Sequence, residues 1–346
     1  MAARHCQVAR GLYRRLQLPI LARRLPPSDT LRAAGAHSPW NLGQTRAYAP
    51  VHAPGKALRL KTDTLTIDDF TRETFHGIVS RNPETFHRLS ADEYYDCFER
   101  FTEARRQAAK PWAVSFNDGE EIPVQVLHDL GCFMRHHTRV PGADIWSMVL
   151  WASASELGYV LSTLSLVQNL VMSDMYMAIV QMRNVEARFQ RLVAGGKDPD
   201  ALTIEGQRLF KQGRLEPAVA MFQRALKAWS SDFELRWRCL LWQGKAYLKL
   251  GRTEEAMKMF EPLVEYGYVE AEVELAKLLR TTDPERARQL MYAAACKGGS
   301  TDMFTFLSEM ALEEALATQT TNKRGSKESR RWAVEWSRLA NLRADH

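Results

Sequence analysis

Apolar residues recur at steps of three and four along most of the chain, which is the spacing of amphipathic helices. Between residues 60 and 345, no segment alternates with period two for long enough to predict a sheet. The pattern therefore predicts an all-α protein. Before residue 140, three helical faces are formed by Ile67, Phe70, Phe75, Ile78 and Val79, by Tyr94, Phe98, Phe101 and Arg105, and by Val126, Leu127, Leu130, Phe133 and Met134.

Start and stop signals accompany these helices. Ser90 and Glu93 have the spacing of a capping box, in which two side chains satisfy free N–H groups at a helix start. Pro123 stands at a first helical position, where proline is well tolerated. Residues 138–144, TRVPGAD, contain helix breakers. We therefore predict an N-terminal helical region over residues 49–140, with a domain boundary near residue 140.

Breaks become regular in the remaining part, residues 141–346. Short segments that carry Gly or Asp-Pro fall at residues 194–200, 211–214, 249–252, 281–285 and 297–301. Helices joined by such short turns form antiparallel hairpins in series.

Two ten-residue segments are nearly the same, GRLEPAVAMF at 213–222 and GRTEEAMKMF at 251–260. Small residues at a helix crossing allow two backbones to approach closely, so we expect small partners in the preceding helices. The candidates are Gly206, Gly244 and Ala276. In four second helices an alanine is followed by a large residue three positions on and a small or apolar one seven positions on: Ala218, Met221 and Ala225; Ala256, Met259 and Leu263; Ala287, Leu290 and Ala294; Ala333, Trp336 and Ala340.

These segments resemble known repeats. QGKAY at 243–247 with Ala256 and Phe260, and EGQRL at 205–209 with Ala218 and Phe222, resemble tetratricopeptide repeats. The later units, with Ala271, Leu275 and Ala276 leading to Ala287, are similar to the related Sel-like repeat. The resemblance is clearest over residues 199–343, and it implies a right-handed α-solenoid of antiparallel hairpins.

In repeats of this type, the first helix of each hairpin lines the concave surface. The resemblance therefore implies a groove for a protein or peptide partner. Basic residues recur on these helices, and we expect their charges to lie close together without acidic partners, which favours an acidic ligand. A solvated helix face is the alternative interpretation. The candidate partner-binding residues are Lys211, Arg238, Lys245, Lys249, Lys277 and Arg280.

Residues 1–48 have the composition of a mitochondrial transit peptide, with eight Arg, no Lys and Asp29 as the only acid. Arg46, Ala47 and Tyr48 resemble a matrix-processing motif, which predicts cleavage between Tyr48 and Ala49. The remainder carries 39 basic and 40 acidic residues, so the basic isoelectric point says little about what the mature protein binds. We expect a mitochondrial matrix protein; a basic tail with nucleic-acid affinity is the alternative.

Candidate chemistry is sparse. His128, Cys132 and His136 follow one another at steps of four, an acceptable spacing for metal ligands, although an ordinary packed helix face has the same pattern. Phosphate-binding glycine loops, nucleophile elbows and metalloprotease motifs are absent from the sequence. The least charged region, residues 145–182, is interrupted by polar residues and falls short of a spanning helix, which leaves peripheral membrane contact open.

The sequence thus favours a non-catalytic mitochondrial adaptor or assembly factor that binds a partner segment in a solenoid groove and needs no cofactor. Two alternatives remain at this point. One is an RNA-associated factor in mitochondrial gene expression, although the chain gives no strong nucleic-acid signal. The other is a metal-dependent enzyme in residues 60–140.

Overall fold

The computed structural model places fourteen α-helices and one parallel β-bridge, between Leu58 and Ile179, in the residues that it describes. The predicted all-α class is confirmed for that part of the chain. The predicted processing residues Arg46, Ala47 and Tyr48 lie outside it. The described residues are 58–62, 65–116, 121–136, 140–228, 233–298 and 301–342.

The chain divides into two compact units, and the division falls between Arg191 and Leu192. The helices of the first unit are α1 (Arg72–Arg81), α2 (Ala91–Gln107), α3 (Val124–His136), α4 (Ala143–Glu156), α5 (Val160–Met172) and α6 (Arg183–Gly195). Helix α6 crosses the division, and a short 3-10 turn at Val180–Met182 precedes it.

The first unit has an aromatic core. Phe75 of α1 stacks on Phe133 of α3 with 4.1 Å between ring centroids. Phe98 of α2 meets Trp146 of α4 edge to face at 4.9 Å. All four rings are buried, and such pairs stabilise a core beyond the area that they remove from water.

The predicted capping box at the start of α2 is present. The Ser90 N–H donates to the Glu93 carboxylate at 2.7 Å, and the Glu93 N–H donates to the Ser90 hydroxyl at 3.3 Å. The hydrogen bonds that the Glu93 carboxylate accepts from the Ser90 N–H and from the Ser90 hydroxyl lower the pKa of Glu93.

The division of the chain differs from the boundary predicted near residue 140. The cause is α4, whose buried residues Trp146, Val149 and Leu150 belong to the same core as Phe75 and Phe98. A break in the helical pattern at 138–144 therefore marks a turn inside the first unit, because the apolar face after it packs back onto the helices before it.

The second unit contains four pairs of helices that are consecutive in sequence and in contact. Each pair also contacts the next, as a stack of hairpins requires. The predicted class of a tetratricopeptide-like or Sel-like solenoid is therefore confirmed. The helices are α7 (Pro199–Lys211), α8 (Leu215–Ala228), α9 (Arg236–Lys249), α10 (Thr253–Glu265), α11 (Val269–Leu279), α12 (Pro284–Gly298), α13 (Thr301–Ala317) and α14 (Lys323–Leu342).

The repeated Gly-Arg pair has a local cause. Gly213 and Gly251 adopt left-handed backbone angles, with φ of 76° and 74°. The following N–H groups, of Arg214 and Arg252, reach back to carbonyls five residues earlier, at 3.0 and 2.9 Å. This arrangement satisfies the last carbonyls of α7 and α9 and reverses the chain into the second helix of each hairpin.

Close approach within the first two hairpins of the second unit depends on glycine, as predicted, but the residue that faces each glycine is larger than expected. A Cβ atom on Gly244 would lie 2.4 Å from Cε1 of Phe260, and one on Gly206 would lie 2.5 Å from Cε1 of Phe222. Phe222 and Phe260, each four residues after a repeated alanine, Ala218 or Ala256, thus occupy the space that the glycine leaves. Ala218, Ala256, Ala276 and Ala287 are fully buried.

Candidate protein-binding surface

The first helices α7 and α9 of the second unit contact one another and carry most of the predicted basic residues. Lys245 and Lys249 lie one turn apart on α9, so both project from the same face. Lys249 is exposed, and its Nζ atom lies 4.4 Å from the centroid of the Phe210 ring of α7. Lys245 is half-buried, with its Nζ atom 5.4 Å from the centroid of the Trp242 ring. Both ammonium groups therefore lie over aromatic faces.

The two rings under these lysines contact each other, and a second aromatic pair lies at the start of α9. Phe210 and Trp242 meet edge to face with 5.0 Å between centroids, which joins α7 to α9. Trp237 stacks on Tyr268, just before α11, at 5.2 Å. Arg238 lies over the Trp237 ring at 4.9 Å. We name the group of Phe210, Trp242, Lys245 and Lys249 the cation–aromatic cluster.

The aromatic members of this cluster were not predicted from the sequence. Trp242 precedes Lys245 by three residues and Lys249 by seven, which places all three on one helical face. That spacing was a usable signal for Trp242. Phe210 comes from another helix, so its place in the cluster depends on the packing of α7 against α9.

The basic residues near α11 have acidic partners, contrary to the expectation of uncompensated charge. Arg280 pairs with Glu309 at 3.0 Å and with Glu313 at 2.6 Å, and the hydrogen bond to Glu313 raises the pKa of Arg280. Lys277 lies 3.6 Å from Glu274. These pairs neutralise much of the positive charge at this end of the predicted groove.

The remaining predicted residues lie nearer to α9. Lys245 has a long ion pair of 3.8 Å with Glu270. Lys211 is half-buried in the last turn of α7. Among the described residues, none forms an ion pair with Lys249, whose charge faces solvent and the Phe210 ring. The structure therefore concentrates accessible positive charge at the cation–aromatic cluster rather than evenly along α7, α9 and α11.

Two acidic residues, Asp200 and Glu234, lie near the start of α9 and reduce the net positive charge of the surface there. The Asp200 carboxylate accepts a hydrogen bond of 2.7 Å from the Leu235 N–H and so ties α7 to the start of α9. Burial raises the pKa of Asp200 to about 7 and also raises that of Glu234. The Glu234 charge lies near Arg238 and partly compensates it.

Two of the candidate metal ligands of the first unit, His128 and Cys132, contact each other, and His128 also has a hydrogen-bond partner on α5. His128 Nδ1 lies 2.9 Å from the Ser162 hydroxyl, and its Nε2 atom lies 3.6 Å from Cys132 Sγ. Burial lowers the pKa of His128 to about 4. The side chain of His136 lies outside the described residues. Within the described residues, no three His, Cys, Asp or Glu side chains are grouped as a metal site.

A comparison with known protein families matches the first two hairpins of the second unit, α7 to α10. Residues 203–264 match the tetratricopeptide repeat family. This match confirms the resemblance seen in the sequence around Gly206 and Gly244.

One solved structure with similarity to this chain is the crystal structure of a Sel1 repeat protein from Oxalobacter formigenes. It covers 72% of this chain and 99% of its own, with a TM-score of 0.44 and 14% sequence identity. No curated protein matches the chain in a sequence comparison. In the described residues, no helix is both long and apolar enough to cross a bilayer.

Proposed function

We propose that this protein is a non-catalytic scaffold that holds a segment of a partner protein against α7 and α9. Stacked hairpins and the tetratricopeptide match support a role in protein–protein interaction. The observation that carries the proposal is the cation–aromatic cluster, in which the exposed Lys249 lies over Phe210 and Phe210 meets the half-buried Trp242 edge to face.

The chemistry of the cluster specifies its partner. A carboxylate of the partner would pair with Lys249, which has no acidic partner of its own among the described residues. An apolar or aromatic side chain beside that carboxylate would pack against the accessible part of Trp242, since aromatic rings supply contact area at little entropic cost. The proposed ligand is thus a short acidic segment that includes an apolar residue.

Reversing the charge of Lys249 tests this proposal. We expect Lys249→Glu to reduce recovery of the wild-type partner roughly tenfold, equivalent to about 1.4 kcal/mol of binding free energy. The reason is that the new carboxylate repels an acidic ligand. The measurement is quantitative affinity purification of the tagged full chain, with melting recorded for each variant.

Lys258→Glu is the matched control, because Lys258 is an exposed lysine on the second helix α10 of the same hairpin. It makes the same change in net charge away from the cluster. Equal partner recovery with both variants, at wild-type melting temperature, would refute the proposed surface.

We further propose that the protein acts as an adaptor in the mitochondrial matrix. The composition of residues 1–48 and the Arg46-Ala47-Tyr48 motif support this location. Sequencing the N-terminus of the protein recovered from mitochondria is expected to give Ala49 or a residue close to it. Recovery of the chain with its original N-terminus from the cytosol would contradict the proposal.

A further inference from the structure

The last helix, α14, concentrates positive charge on the second unit. Its described residues include six Lys and Arg side chains and two Glu side chains, which gives a net charge of +4. Residues 49–346 as a whole contain 39 basic and 40 acidic residues, so this excess is local. The basic residues are Lys323, Arg324, Lys327, Arg330, Arg331 and Arg338.

These basic side chains all face outward. The side of α14 that packs on the hairpin contains Ser326, Ala333 and Ala340, which are buried. All six basic residues are exposed and form two adjacent rows along α14, and the row of Lys323, Lys327 and Arg330 lies next to Ser326. From Lys323 to Arg338 the rows extend about 22 Å at 1.5 Å per residue.

Little of this charge is compensated. Arg338 pairs with Glu335 at 2.9 Å. In the part of the chain that the structure describes, the other five basic residues form no ion pair. Three of them, Lys323, Lys327 and Arg330, line a surface depression of about 290 Å³ together with Gln319 and Ser326. This depression offers three cations and the Gln319 amide to one anionic group, while the buried Ser326 hydroxyl donates to the Ala315 carbonyl at 2.6 Å.

Exposed apolar side chains accompany the basic rows. Trp332, Val334 and Leu339 on α14 are 53%, 52% and 39% exposed. Trp332 stacks on Trp336 with 5.7 Å between centroids, and Trp336 stacks on Phe304 of α13 at 6.1 Å. The exposed Trp332 ring therefore rests on the half-buried Trp336 ring, which in turn stacks on the buried Phe304 ring.

We propose that α14 attaches this protein peripherally to a membrane surface rich in anionic phospholipids. The basic rows complement the negative headgroups, and the depression at Lys323, Lys327 and Arg330 accommodates a lipid phosphate. Trp332 and Leu339, which are seven residues apart on one face of α14, enter the headgroup region, where amphipathic side chains such as tryptophan are favoured, while Val334 lies among the basic rows.

A membrane accounts for more of this surface than a nucleic acid does. Phosphate groups of RNA or DNA would also pair with the basic rows. The aliphatic side chains of Val334 and Leu339 gain nothing from a phosphate backbone, whereas the interface of a bilayer removes them from water.

The first test is cosedimentation of the full chain lacking residues 1–48 with phospholipid vesicles. We expect binding to phosphatidylcholine vesicles that contain phosphatidylglycerol and none to vesicles of phosphatidylcholine alone. Binding should weaken as ionic strength rises from about 0.1 M to about 1 M, where the screening length falls from about 10 Å to about 3 Å.

Charge reversal supplies the specific variant. The triple change Lys327→Glu, Arg330→Glu and Arg331→Glu is expected to abolish sedimentation, with Gln at the same positions giving an intermediate loss. The matched control reverses three exposed cations on other helices or turns, Arg214, Lys227 and Lys258, with an identical change in net charge. Circular dichroism verifies that each variant keeps its helix content.

Brominated phosphatidylcholine in the anionic vesicles tests the apolar contact. We expect it to quench part of the tryptophan fluorescence of the wild type, and Trp332→Phe to remove that part. Absence of vesicle binding, equal loss in the control triple, or binding to RNA without binding to vesicles would each overturn the proposal.

Discussion

Replacing Gly244 with alanine is expected to lower the free energy of unfolding by about 1 to 3 kcal/mol, as overpacking of a dense core does. The added Cβ atom would lie 2.4 Å from Cε1 of Phe260, a ring that is fully buried between the two helices of its hairpin. Because each hairpin stabilises its neighbours, the loss is expected to spread through the stack. Chemical unfolding followed by circular dichroism measures it.

A double-mutant cycle with Phe260→Leu isolates this contact. Removing the ring costs stability by itself, but in that background Gly244→Ala should cost much less, because the clashing atoms are gone. Gly195→Ala is the control, since a Cβ atom at that helical position would meet nothing within 4 Å. Wild-type stability for Gly244→Ala, or an unchanged cost beside Phe260→Leu, would show that the glycine is not required for close packing.

Replacing Arg105 with methionine is expected to destabilise the first unit by about 2 to 5 kcal/mol, because it leaves buried carbonyls without their donor. The Arg105 guanidinium is buried and donates to the carbonyls of Thr62 and Leu65, at 2.9 Å each. It also lies over the Trp146 ring at 4.9 Å. Hydrogen exchange of the amides in residues 65–81 measures the local loss, and urea unfolding measures the global one.

The neighbouring Arg106 provides a matched control. Arg106 is exposed and forms an ion pair of 3.2 Å with Glu103, so Arg106→Met should change stability by less than about 0.5 kcal/mol. A similar small effect for both substitutions would mean that the segment before α1 is held by something other than Arg105.

Features that depend on neighbours in the sequence could be predicted. The capping box of Ser90 and Glu93 lies within one turn, and the hairpin turns at Gly213 and Gly251 depend on backbone angles that glycine adopts easily. The buried alanines followed from the helical period alone. Each of these features needs only the local spacing of residue types.

Features that depend on packing between distant segments could not be predicted from the sequence. Arg280 meets Glu309 and Glu313, which lie 29 and 33 residues later, and nothing in their spacing selects these partners over other exposed carboxylates. The basic charge near α11 was overestimated for this reason. Arg105 was assigned to an apolar face, but its polar end caps carbonyls of an irregular segment that carries no periodic pattern.

Of the proposed binding surface, too, only the part that depends on local spacing could be predicted from the sequence. Lys245 and Lys249 were recognised because they lie one turn apart on a single helix. The aromatic rings around these lysines could not be predicted, because Phe210 belongs to another hairpin and reaches Trp242 only when α7 and α9 stack. Packing thus turned a predicted basic stripe into a smaller cluster with an aromatic base, and that cluster defines a partner with both charge and apolar surface.

Lysine labelling tests most directly whether a partner covers this cluster in the cell. Amine-reactive labelling of the protein in intact mitochondria is compared with labelling of the purified chain, residue by residue, by mass spectrometry. We predict that Lys249 is strongly protected in mitochondria, while the exposed lysines Lys227 and Lys258 on the second helices are labelled to the same extent in both samples. Equal labelling of Lys249 in the two samples would contradict a partner held on α7 and α9.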